Sequence, residues 1–174
     1  PKVVLRDTLW IGTETKIELL ATDREAGVNR IEYSLNHAQN SQYLEPFVLT
    51  ENGYYKLEFT GYDNVENVNV SGFTFAVDTQ APEIFWHFSV KPYATATVDG
   101  EELPVFPSNV KIFLGATDNV TPLVKLTYSW NGNKPQEYNK PIIIPNIQPV
   151  NTLDIIATDE IGNTIQQSLR FAVK

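Results

Sequence analysis

The chain repeats itself, and no other feature limits its possible folds as tightly. Ala21-Thr22-Asp23 recurs as Ala116-Thr117-Asp118, an offset of 95 residues. At the same offset Ile31-Glu32-Tyr33-Ser34-Leu35-Asn36 falls on Leu126-Thr127-Tyr128-Ser129-Trp130-Asn131, Tyr43 on Tyr138 and Pro46 on Pro141. After a one-residue insertion the offset is 96, and Asp63 falls on Asp159, Asn67 on Asn163 and Phe75-Ala76-Val77 on Phe171-Ala172-Val173. Collinear matches across most of both halves call for two copies of one structural unit. Between the copies lies Asp78-Thr79-Gln80-Ala81-Pro82, where proline fixes its own φ, biases its predecessor to extended geometry and donates no hydrogen bond. The boundary placed there gives modules 1–78 and 79–174. The leading segment of the second copy, 83–106, is longer than residues 1–12 of the first. The first copy is therefore expected to begin late in, or just after, its first strand.

Within each copy, short apolar alternations of period two are separated by Asn, Gly, Asp and Pro clusters, and no 3.6-residue period is sustained. Ile17, Leu19 and Ala21 point one way and match Ile112, Leu114 and Ala116. The sets Ile31, Tyr33, Leu35 and Leu126, Tyr128, Trp130 behave alike, as do Leu57, Phe59, Gly61 and Leu153, Ile155, Ala157, and finally Phe73, Phe75, Val77 and Leu169, Phe171, Val173. Alternate strand residues face opposite sides, so in-phase sets of this kind pack two sheets face to face around a core about 10 Å thick. The expected class is all-β: two tandem immunoglobulin-like antiparallel β-sandwich modules. Asn131-Gly132 is a strong two-residue hairpin signal, because both residues tolerate positive φ. Its counterpart Asn36-His37 is expected to be looser, since positive φ costs more at His37.

With 42% hydrophobic residues and 20% charged ones among 174, the chain can fill such cores. Its formal net charge of −8 opposes a nonspecific grip on nucleic acid or on an anionic membrane. The first 78 residues carry 6 basic against 12 acidic side chains and the remainder 7 against 9, so a cationic partner would favour the first half. The absence of cysteine excludes disulfides, Cys-ligated zinc and thiol nucleophiles. No stretch reaches the 18 apolar residues of a membrane span. The lack of methionine and the opening Pro1 suggest a piece of a longer protein.

These elements resemble the immunoglobulin-like, fibronectin type III-like repeats of bacterial surface and secreted proteins, above all the repeat family named after a spirochaete outer-membrane protein. The resemblance rests on Ala116 to Asp118, Tyr128 to Asn131, Tyr138 to Pro141, Asp159 to Asn163 and Asp78 to Pro82, and it covers nearly the whole chain. The first copy departs at Asp63-Asn64-Val65-Glu66-Asn67, where Glu66 replaces the glycine of the pattern, so a different turn is expected there. The resemblance implies a cell-surface, periplasmic-facing or secreted location. It specifies a scaffold that hosts adhesins, stalks and accessory domains alike.

Chemistry is sparse. His37 and His87 sit in different copies, and no Gly-x-Ser-x-Gly, His-Glu-x-x-His or phosphate loop occurs. His37 reads as a turn residue, His87 as part of an edge strand and Glu101-Glu102 as a solvated loop. No catalytic residue and no resident cofactor are expected. In Ile84-Phe85-Trp86-His87-Phe88, Phe85 and His87 oppose Ile84, Trp86 and Phe88, which leaves one aromatic over on the outer face. Packing against the linker or a neighbouring module competes there with contact to a glycan or protein, so Phe85 and Trp86 are the candidate ligand-binding residues. Asp23, Asp63, Asp118 and Asp159 are the recurrent polar set. Asx turns account for them, while a hard cation offers a second role. Turns that follow the 17–21 and 57–61 strands should share a pole, so calcium, if present, is expected at Asp78, Asp118 and Asp159. The leading function is a non-catalytic spacer or assembly module among neighbouring domains. Adhesion to a host protein or glycan, and service as an accessory domain of a secreted enzyme, are the rivals.

Overall fold

The computed structural model describes residues 2–121, 124–144 and 148–174; Pro1 lies outside them. The chain separates into two compact units, Pro1–Gln80 and Ala81–Lys174. All regular structure among the described residues is β, and no helix is long and apolar enough to cross a membrane.

In the first unit β1 (Lys2–Leu5), β2 (Thr8–Gly12), β3 (Val28–Leu35), β4 (Ser41–Gln42), β5 (Gly53–Asp63) and β6 (Val68–Asp78) form one sheet, ordered β1-β2-β6-β5-β3-β4. In the second, β7 (Glu83–Phe88), β8 (Ala94–Val98), β9 (Glu101–Phe106), β10 (Lys111–Thr117), β11 (Val124–Trp130), β12 (Gln136–Glu137), β13 (Ile142–Ile143), β14 (Val150–Asp159) and β15 (Thr164–Val173) form two. The larger runs β12-β11-β14-β15-β9-β8 and the smaller β13-β10-β7. The large sheets are copies of one another. Trp10 and Ile11 pair in parallel with Ala76 and Val77 as Val105 and Phe106 do with Ala172 and Val173. All other pairings are antiparallel.

The phase of the apolar residues places the cores. In the second unit Ile112 and Leu114 of the small sheet face Leu126, Trp130, Leu153, Ile155 and Phe171 of the large one. Trp130 is 2% exposed and meets Phe171 edge-on at 5.8 Å. The first unit gathers Ile11, Ile17, Leu19, Leu57, Phe75 and Val77, with Tyr33, Phe47 and Leu49 against them. Two expectations about strands and cover fail in this unit, besides two about its turns. Residues 17–21 form no strand, making only the bridge Ile17↔Phe47, because among the described residues no strand lies along their other edge as β7 does along β10. Phe73, in phase with the buried Phe75, is 44% exposed.

The turns repeat as faithfully as the strands. Asn131 and Gly132 have φ of +48° and +73°, the positive pair of a two-residue hairpin. Asn36 and His37 have +52° and +62°, so that hairpin is not looser; His37 takes the left-handed conformation itself. Both are held by the asparagine, whose side-chain oxygen accepts the N–H of Lys56 at 2.8 Å in one unit and of Thr152 at 2.7 Å in the other. Glu66 likewise keeps the backbone bonds of its turn, its N–H reaching the Asp63 carbonyl at 3.3 Å as Gly162 N–H reaches that of Asp159, with φ +63° where Gly162 has +103°.

Candidate functional site

Asp63, Asp118 and Asp159 sit where strands end and Asp23 just after the strandless residues 18–22, and each is held by backbone donors. Asp63 closes β5: Oδ1 accepts the N–H groups of Val65 at 2.9 Å and Asn67 at 2.8 Å, and Oδ2 accepts Asn67 Nδ2 at 2.7 Å. Asp159 closes β14 with two of the same bonds, from Asn163 N–H at 2.8 Å and Asn163 Nδ2 at 2.9 Å, and takes its third from Gly162 N–H at 2.5 Å, at the repeat position of Glu66 rather than of Val65. Asp23 Oδ1 accepts from Glu25, Ala26 and Gly27, and Asp118 Oδ1 from Val120 and Thr121. This is the short polar side chain substituting for a backbone partner in an Asx turn.

Within the second unit the carboxylates of Asp118 and Asp159 approach within 4.8 Å; in the first, Asp23 and Asp63 line one open recess. Asp78 ends β6, is fully buried, and accepts Gln80 N–H at 3.0 Å. Burial pushes the Asp63 carboxyl upward, but the hydrogen bonds from the Asn67 side chain and the Val65 and Asn67 amides outweigh it and hold the group below its ordinary value.

The aromatic candidates lie on β7, an edge strand. Ile84 is buried and Phe88 stacks on Phe106 at 4.1 Å. Phe85 is 52% and Trp86 41% exposed, so two aromatics rather than one reach solvent. Trp86 has the core phase, yet the strand edge leaves its ring partly uncovered. The Phe85 ring lies flat over Gly115, where a Cβ would come 2.0 Å from it. Phe113 and Ile143 extend the same outer face, and both are exposed.

His37 sits in its hairpin 3.2 Å from Glu58, and His87 lies on β7 beside Phe113. Glu101 and Glu102 belong to strand β9 rather than to a loop, and Glu101 pairs with Arg170. Asn36 and Asn131 stand out in the sequence as hairpin residues by their tolerance of positive φ, but not as braces whose side-chain oxygens hold the neighbouring strand.

Fold and turns together define a class of protein, the tandem immunoglobulin-like β-sandwich repeat. No protein-family model matches the chain, and no curated protein does. Among solved structures it is similar to the fibronectin(III)-like modules of Clostridium thermocellum CbhA, at 11% identity and TM-score 0.44, over 95% of this chain and 88% of that one. It is also similar to Drosophila N-cadherin EC1-4, at 14% identity and TM-score 0.33, over 95% of this chain and 47% of that one.

Proposed function

We propose that the chain is a non-catalytic spacer or assembly segment of a larger bacterial cell-surface or secreted protein. The observation that carries this reading is that the polar side chains recurring in both copies, Asn36 with Asn131 and Asp63 with Asp159, bond to the backbone of their own unit. Selection that preserves such groups preserves a scaffold. The motif resemblance to surface repeats supports the location. The expected result is no turnover of ester, peptide, glycoside or phosphate substrates; a reproducible activity lost on changing His37 or His87 to alanine would overturn the reading.

Adhesion is the second reading, favoured by Phe85, Phe113 and Ile143 on one exposed face, an aromatic platform of the kind that meets a glycan or protein surface. A glycan or host-protein array screened with the intact chain, and again with Phe85→Ala, separates the two: binding lost in the variant supports adhesion.

Calcium at Asp118 and Asp159 is favoured by the approach of their carboxylates to within 4.8 Å, since two like charges at that range need donors or a cation to offset them. The backbone donors already supply part of that. A calcium titration of the melting temperature decides: a shift at millimolar calcium that disappears in Asp118→Ala with Asp159→Ala supports a bound ion. The same titration of Asp78→Asn asks whether the third carboxylate named from sequence takes part. No shift in the unmodified chain leaves all three as turn and strand-end residues.

A further inference from the structure

On the outer face of the first unit's sheet two aromatic rings meet over an alanine. β6 lies between β2 and β5, and Ala76 is opposite Trp10 on one side and Tyr54 on the other. Ala76 alternates with the core residues Phe75 and Val77 and so faces away from the core, yet it is 0% exposed. The two rings cover it, meeting edge-on with centroids 5.5 Å apart. The second copy closes the same place with aliphatic side chains: Ala172, 1% exposed, lies between Val105 and Val150. Two valines therefore suffice to shield the alanine. Tyr54 goes beyond that task, since 72% of it remains in solvent.

Beside this pair, polar side chains border an open recess of about 300 Å³. The next outward rung of the sheet holds Thr74 opposite Lys56, and the tight turn between β1 and β2 brings Asp7 and Thr8 to the same recess, with Tyr54 along its side. Asn36 also lines it, but its side chain is already committed to the backbone of Tyr54 and Lys56. What remains is one carboxylate, two hydroxyls and one ammonium beside an exposed ring. The second copy does not share this set. At the repeat positions of Lys56 and Thr74 it has Thr152 and Arg170, and Arg170 pairs with Glu101.

We propose that this recess binds one hexopyranose ring of a neutral glycan. An aromatic face is apolar and electron-rich, and a pyranose offers it a face of C–H bonds while hydroxyls project from the rim of the sugar. Asp7 accepts hydrogen bonds from such hydroxyls, Lys56 donates to them, and Thr8 and Thr74 do either. Charge selects a neutral ring. The recess has one carboxylate against one ammonium, and Glu58, 3.0 Å from the Lys56 ammonium, further opposes an acidic sugar. A volume of about 300 Å³ is at the lower end of small-molecule sites, room for one ring with the rest of the glycan in solvent. The site lies in the other unit from Phe85 and stands whether or not that face binds a partner.

The test is a titration of the intact chain with soluble tetrasaccharides of glucose, mannose, galactose and N-acetylglucosamine, followed by amide and indole NMR shifts. At least one should bind with about millimolar affinity or better, and the shifts should gather at Trp10, Tyr54, Lys56, Thr74 and their neighbours. Tyr54→Val, which installs the residue of the second copy, should weaken that binding about tenfold or more and leave the melting temperature of the first unit in place. If it lowers the melting temperature, Thr74→Arg, which fills the recess and spares the aromatic pair, gives the same readout. Phe85→Ala should leave the affinity unchanged, which separates this site from the exposed face of β7. No saturable binding of any of the four at about 10 mM, or an affinity that survives Tyr54→Val, would overturn the proposal. So would tighter binding of adenosine than of any tetrasaccharide, which would assign the exposed ring to a flat aromatic ligand instead.

Discussion

At single residues, the repeat shows which side chains are needed and which are tolerated. Glu66 and His37 occupy left-handed backbone at φ +63° and +62°, where the other copy has Gly162 and Gly132. A side chain there costs about 1–2 kcal/mol, partly offset by the greater freedom that glycine has in the unfolded chain. Glu66→Gly and His37→Gly should each stabilise the first unit by about 0.5–1 kcal/mol in chemical denaturation, and Gly162→Glu should destabilise the second by a similar amount. Asp63 gives a pH dependence. Its folded carboxyl titrates below its ordinary value, so its contribution to stability is present above the unfolded value and is lost as pH falls through the folded one. Between pH 5 and pH 2 the first unit should therefore lose stability with a steeper slope than Asp63→Asn shows. Equal slopes would mean that the turn bonds do not discriminate between the charged and neutral acid.

Strands were legible wherever two signals agreed. Alternation together with a matching copy located the buried faces of β3, β5, β10, β11, β14 and β15. At residues 17–21 it placed Ile17 and Leu19 correctly in the core but not the strand, because a strand needs a hydrogen-bonding neighbour that alternation does not report. It also failed at Phe73, where the phase was right and the cover absent. Trp130 and Trp86 separate phase from cover: both have core phase, but one is 2% and the other 41% exposed. Trp130→Ala should cost about 3–5 kcal/mol, as large-to-small aromatic changes in cores do. Trp86→Ala should cost clearly less, and equal losses in urea denaturation would contradict the assignment of β7 to the edge. The site was less legible than the fold. The recurring aspartates and asparagines stood out as motifs, yet the bonds that occupy them cross between strands or close turns, and spacing alone does not separate such bonds from ligand binding.

For the molecule as a whole, the two units are copies of one plan with unequal completeness. The second has two full sheets around its core and the first has one sheet with a partial cover. Buried apolar area contributes roughly 25 cal/mol per Å², so the more fully enclosed core should be the more stable. Denaturation of the intact chain should show two transitions, with Trp10, whose ring meets that of Tyr54 edge-on at 5.5 Å, reporting the earlier and Trp130 the later. The central claim is that each copy carries its own core and that the chain is a tandem array. The most direct measurement is the folding of residues 79–174 alone. The account predicts dispersed amide resonances and one cooperative transition, at the midpoint of the later transition of the intact chain. An unfolded 79–174 fragment, or a midpoint far below that transition, would contradict it.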